Sequence, residues 1–176
     1  VSSEEIHQRV RDLYAVVDAE VAAAGPRCDA SGRCCRFKEW GHVLFLSQLE
    51  AEVLLASAPP YALPVSADFC PFQKDNLCTA REPRPLGCRI YFCDPAYQET
   101  GNQIMESALS KLKQIAREHE IGWRYAPLHV FLNEADMPAQ TAGSIQSDRV
   151  PLPLVASRVT LESLDSSTPA STTEPS

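Results

Sequence analysis

Seven cysteines stand in two groups on this chain of 176 residues: Cys28, Cys34 and Cys35, then Cys70, Cys78, Cys88 and Cys93. Thiolates are soft ligands, and four of them close a tetrahedral zinc or iron–sulfur site. Cys34 and Cys35 are adjacent, a placement that suits neither core packing nor mutual oxidation. An alternating backbone would aim the two side chains apart. The turn after Gly32 must therefore present both to one centre or divide them between two neighbouring centres. The spacing names no metal. It lacks the paired C-x2-C knuckles of a zinc ribbon and the C-x2-C-x2-C-x3-C-P run of a ferredoxin. Buried core cysteines would fall on periodic elements, whereas these fall in segments rich in small residues and proline. The odd count speaks against a disulfide framework.

Other residues near the cysteines have competing roles. Arg84 and Arg89 flank Cys88, where they either offset thiolate charge, hold an anionic ligand or brace a loop. His42 is close enough to the double cysteine to be a ligand or to orient one. His119 reads as partly buried packing on a helix face, and His7 and His129 carry no functional expectation. Asp68, Asp75 and Asp94 fit turns and caps. The formal charge of −7 disfavours nucleic acid as a partner. No stretch approaches the ~20 apolar residues of a membrane helix. The opening "VSSEEIHQRV" lacks a basic start followed by an apolar segment, so a cytoplasmic location is expected. In a reducing compartment, clustered cysteines serve metal or redox chemistry.

The elements that position these residues are mainly α-helical with short extended segments. Ser2 and Glu5 have capping-box spacing, and Ile6, Val10, Leu13, Val17 and Val21 recur at helical intervals, which predicts a helix from Ser3 to Ala24 ended by Gly25-Pro26. Cys28 to Trp40 reads as a loop and His42 to Leu46 as a short buried strand. Ser47 and Glu50 form a second capping box, for a helix ending near Ser57 before Pro59-Pro60. Tyr61 to Cys93 is broken by prolines and reads as one long loop, which needs something besides a core to hold it. Metal ligation would serve, giving a small, irregular, metal-stapled domain with long cysteine-bearing loops.

Asp94-Pro95 then starts a helix that carries Met105, Leu109, Leu112, Ala116 and His119 on one face and runs to about Glu120. Gly101 weakens its first turns, so the regular part is expected from Asn102. Trp123 to Leu132 reads as a strand or extended segment packing back on the core. The cysteine-bearing domain is thus placed at 1–138. The rest, 139–176, is a Ser/Thr/Pro-rich tail whose end buries too little apolar area to order itself, with "VPLPLV" (Val150 to Val155) as the one part suited to docking. Deleting the residues after Asp165 is expected to leave fold and metal content unchanged, which melting curves and metal analysis of the truncated protein would check.

The chain resembles the cysteine-cluster family of YkgJ type, known as a zinc- or iron-chelating domain. The resemblance is carried first by Cys28-Asp29-Ala30-Ser31-Gly32-Arg33-Cys34-Cys35, against a family pattern of C-x2-C-x2-C-C. It continues in Cys70-Pro71-Phe72, Cys78, Arg84-Pro85, Cys88-Arg89 and Tyr91, and covers Cys28 to Phe92. It implies metal chelation, and some relatives are linked to lysine methylation of flagellin; no Gly-rich cofactor loop after a strand signals a methyltransferase here. Ser31 stands where the family has a cysteine, and Cys93 where it usually has an apolar residue. Cys93 is therefore expected to replace the thiolate lost at position 31. The expected ligands are Cys28, Cys34, Cys35, Cys70, Cys78, Cys88 and Cys93, holding zinc or iron, including an iron–sulfur cluster. Three functions fit: a structural or electron-carrying metal module, a metal-dependent enzyme of redox or group transfer, and a thiol-based redox sensor.

Overall fold

The computed structural model describes residues 2–135; the expected tail at 139–176, with its Val150–Val155 stretch, lies outside the described residues. Helix α1 (Ser3–Ala24) begins at a complete Ser2/Glu5 capping box and ends where Gly25 turns left-handed at φ 61°. A 3-10 turn (Arg33–Cys35) and a one-turn helix α2 (Phe37–Trp40) follow, then β1 (Phe45–Ser47). Ser47 ends β1 and caps α3 (Gln48–Ser57), again with a complete capping box through Glu50. A hairpin of β2 (Gln73–Lys74) and β3 (Leu77–Cys78) leads to α4 (Leu86–Ile90). A second 3-10 turn (Pro95–Tyr97) enters α5 (Gln98–Glu118), and β4 (Tyr125–Pro127) and α6 (Leu128–Ala135) complete the described chain. Strand β4 pairs antiparallel with β1, Leu46 opposite Ala126. The mainly α-helical class with short extended segments is what the sequence predicts.

Two apolar cores lie on either side of α3. In the first, Val10, Tyr14 and Val17 of α1 meet Leu49 and Val53 of α3, Leu86 and Ile90 of α4, and Ile104, Ala108 and Leu112 of α5. In the second, Ala51 and Leu54 of α3 meet Phe37, Leu46, Phe72 and the α6 residues Leu128, Phe131 and Leu132, together with Cys35 and Cys70. Helix α3 carries apolar residues on two sides because both of them are covered.

Five local expectations change. The short buried strand expected at His42–Leu46 is β1 at Phe45–Ser47, and only Leu46 of the expected stretch is buried, while Val43 and Phe45 face solvent. The segment Cys28–Trp40 is not all loop, since it holds the 3-10 turn and α2. The expected Tyr61–Cys93 loop contains the β2–β3 hairpin, closed by Asp75 and Asn76 at φ 51° and 64°, and α4 as well. Two consecutive left-handed residues match the twist of a tight hairpin, and Asp and Asn tolerate that conformation best after glycine. Trp123–Leu132 is strand only over Tyr125–Pro127; α6 takes over from Leu128 because Leu128, Phe131 and Leu132 share one helical face against the second core. Helix α5 does not wait for Asn102: Gly101 lies inside it, where an added Cβ would come within 2.8 Å of the Tyr97 ring. Its lack of a side chain lets Tyr97 fold beneath the helix start, which offsets its poor helix propensity.

Candidate functional site

Backbone hydrogen bonds draw separate cysteine segments together. Lys38 donates its N–H to the Asp68 carbonyl at 3.0 Å, and Cys70 donates to the Cys35 carbonyl at 2.8 Å. The Gln73 side chain adds a bond from Nε2 to the Gly32 carbonyl at 2.8 Å. Gly32 is left-handed at φ 69°, and a Cβ on it would press on Asn76 Oδ1 at 2.8 Å, so glycine is what lets the hairpin close on this turn. Thr79 then binds the Phe72 carbonyl through both its N–H, at 2.7 Å, and its hydroxyl, at 2.9 Å, which fixes Cys78 at the hairpin's end.

Cys88 arrives on α4, and two buried side chains hold that helix. Glu50, 1% exposed, accepts the Leu86 N–H on Oε1 at 2.8 Å, while Oε2 accepts the Ser47 N–H at 2.7 Å and the Ser47 hydroxyl at 2.9 Å. Arg89 donates to the Arg84 carbonyl at 2.8 Å, to the Glu82 carbonyl, and to Asp18 on α1 at 2.5 Å. Its guanidinium also lies 4.2 Å from the Tyr14 ring centroid. Arg89 is therefore the loop brace among the roles open to it from the sequence.

The result is a neighbourhood of Cys34, Cys35, Cys70, Cys78 and Cys88. The Cys34 and Cys35 sulfurs are 3.9 Å apart. Cys35 also bonds to the Cys70 thiol and feels Cys78, and Cys88 feels Cys35, Cys78 and Cys34. Cys35 and Cys70 are buried, Cys78 and Cys88 half-buried, and Cys34 exposed. A small cavity of about 10 Å³ is lined by Cys70, Cys78, Cys88 and Arg84 among apolar neighbours. Cys34 and Cys88 also border a groove of about 300 Å³ walled by His42, Phe45, Tyr91 and Tyr125. Among the described residues, no group of three or more His, Cys, Asp or Glu side chains is already arranged to hold a metal ion.

Three of the five thiols, those of Cys34, Cys35 and Cys88, are held in the neutral form. The bond to Cys35, then burial, then the charge of Cys35 raise the Cys34 thiol far above its ordinary value. The Cys34 bond lowers the Cys35 thiol, but the Cys70 bond, burial, and the Cys70 and Cys78 sulfurs outweigh it and push Cys35 up to about 12. Burial, followed by the neighbouring cysteines, lifts Cys88 well above the usual range.

Cys28 and Cys93 lie on two further segments, and Tyr91 feels both Cys93 and Cys34. Cys28 is exposed. Cys93 Sγ points to the Tyr91 hydroxyl at 3.9 Å. The two cysteines are on segments joined at their edge, where Arg27 N–H donates to Asp94 Oδ2 at 3.0 Å. Asp94 also caps Ala96 at 3.0 Å, and these two amide bonds hold its carboxyl below the usual carboxylate range. At position 31, the carbonyl of Ser31 accepts from the Arg36 guanidinium.

His42 faces the Cys34 backbone: its Nε2 is 3.2 Å from the Cys34 carbonyl. A carbonyl only accepts, so Nε2 carries the proton. The ring stacks on Tyr91 at 5.6 Å and meets Phe37 edge-on at 5.3 Å. Its Nε2 thus steadies the backbone of a cysteine, while its buried Nδ1 has no hydrogen-bond partner. His119 is half-buried and accepts from Arg9 at 2.8 Å, and His7 lies 3.4 Å from Glu52. Gly32 carries the turn that the sequence places before the double cysteine, whereas Glu50 and Gln73 have no sequence signal for the site. The Ser47/Glu50 box was visible, but its second use as an acceptor for α4 depends on tertiary packing.

Compared with known proteins, the chain matches no family model, no curated protein and no solved structure. No helix among the described residues is long and apolar enough to cross a membrane.

Proposed function

We propose that this protein binds zinc or iron through Cys34, Cys35, Cys70, Cys78 and Cys88. One observation carries the proposal: the β2–β3 hairpin, the 3-10 turn and α4 bring five cysteines from distant parts of the chain into one neighbourhood. Metal–sulfur bonds of ~2.3 Å place tetrahedral thiolates ~3.8 Å apart. The 3.9 Å between Cys34 and Cys35 suits that edge. The remaining thiols are neighbours rather than preset ligands, and a change of one cysteine rotamer moves its sulfur by roughly 3 Å. The donor set is wholly thiol, which favours zinc, iron or an iron–sulfur cluster over hard cations.

The two departures from the YkgJ-type pattern leave this core intact. Cys34, Cys35, Cys70, Cys78 and Cys88 all fall on family positions, while Ser31 and Cys93 lie outside the five. A redox-sensor role is less well supported, because sensor cysteines are exposed and low in pKa, and here Cys34, Cys35 and Cys88 are raised. A metal-dependent enzyme is the second reading, favoured by the groove that reaches Cys34 and Cys88 from outside.

The deciding experiment is metal analysis with an absorption spectrum on anaerobically purified protein. Zinc without colour supports a structural site, and iron–sulfur charge-transfer bands support a redox one. Ligation links folding to metal, so a chelator is expected to speed hydrogen exchange over residues 28–93 and lower thermal stability. Protein whose exchange and melting do not respond to full metal removal would sink the proposal.

A further inference from the structure

Arg84 is the unspent charge of the cysteine cavity. Its neighbour Arg89 is saturated by Asp18 and two carbonyls. Arg84, in contrast, lines the cavity with Cys70, Cys78 and Cys88 and has a buried Nε without a hydrogen-bond partner. Its charged surroundings include Arg81 and Arg89, which repel it, and Asp18, which Arg89 already engages. With no carboxylate or carbonyl bonded to its buried Nε, such a group is desolvated without return. What the cavity lacks is an anion, and thiolates on a metal are anions at that place.

We propose that Arg84 is the counter-cation of the metal centre, its guanidinium donating N–H···S hydrogen bonds to the thiolates that form when metal displaces their protons to solvent. The inference rests on the metal reading above and deepens it. A thiolate-only tetrahedral site on a divalent ion carries two excess negative charges, and one guanidinium offsets half of them. The planar fork also permits two sulfurs to be bridged, which an ammonium does less well. Arg84 is a positioning residue in this scheme and never a ligand.

The test is a titration with cobalt(II) alone, followed through sulfur-to-metal charge-transfer absorption, on the wild-type chain, Arg84→Met and Arg84→Lys. Affinity is expected to fall roughly tenfold or more in Arg84→Met, because the cation and its hydrogen bonds favour the thiolate form. Arg84→Lys should recover part of the loss. Melting of the chelator-treated proteins separates this from a structural role: Arg84→Met should then be as stable as wild type or more so, since a half-buried charge with an unpartnered Nε has gone. Equal cobalt affinity in wild type and Arg84→Met overturns the inference alone. So does a chelator-treated Arg84→Met that melts far below wild type or fails to fold. Wild-type protein that takes up neither cobalt nor zinc overturns the metal reading, and this inference with it.

Discussion

Glu50→Ala is expected to destabilise the protein by about 4 kcal/mol, the cost of stranding buried donors around a lost carboxylate. That is roughly 15 °C in melting temperature for a domain of this size. Three donors would lose their acceptor: the Ser47 N–H and hydroxyl at the start of α3, and the Leu86 N–H at the start of α4. Because α4 carries Cys88, metal content should fall with stability. Glu50→Gln should recover only part, since its amide has one acceptor oxygen.

The pH dependence follows from burial. Burial raises the Glu50 pKa, and the bonds from Ser47 and Leu86 and the charge of Arg89 only partly oppose it. The native state therefore holds this proton to higher pH than the unfolded chain does. Its contribution is full below the ordinary glutamate pKa and is lost as pH rises through the raised native one. Denaturant melts across that window should slope downward in wild type and flatten in Glu50→Gln.

Cys88→Ser is expected to remove most bound metal, and Cys93→Ser to remove much less. Cys88 has Cys34, Cys35 and Cys78 as electrostatic neighbours and borders the cavity. Cys93 has the Tyr91 hydroxyl. A hydroxyl is a far poorer ligand for soft metals than a thiolate, so serine is a clean subtraction at both positions. Metal-to-protein ratios of the two variants, measured beside Ser31→Cys/Cys93→Ser, decide the matter. Loss in Cys93→Ser as severe as in Cys88→Ser, with recovery in the double variant, would make Cys93 the ligand that replaces position 31 after all.

The helices were legible wherever the chain carried its own start and stop signals. Ser2 with Glu5, Ser47 with Glu50, and Gly25 are local chemistry, and α1 and α3 follow from them. The β2–β3 hairpin was not legible, because strands of two residues have no alternation to read; only Asp75-Asn76 marked the turn. The apolar run Trp123–Leu132 suggested a strand or extended segment, although the spacing of Leu128, Phe131 and Leu132 already fitted a helix. The cysteines announced a site, but their partition did not follow from spacing. It depends on which carbonyl Cys70 and Gln73 find, and those are forty residues away or nearly so.

Helix α3 divides its sides between two cores, with Leu49 and Val53 in one and Ala51 and Leu54 in the other. A wall common to two rooms cannot be removed from one of them. Opening the cysteine-bearing core exposes the far flank of the same helix that α1 packs against, so the described residues should come apart as one cooperative unit rather than as separate foldons. A single calorimetric transition, with matched van't Hoff and calorimetric enthalpies, is the thermodynamic signature of that shared wall.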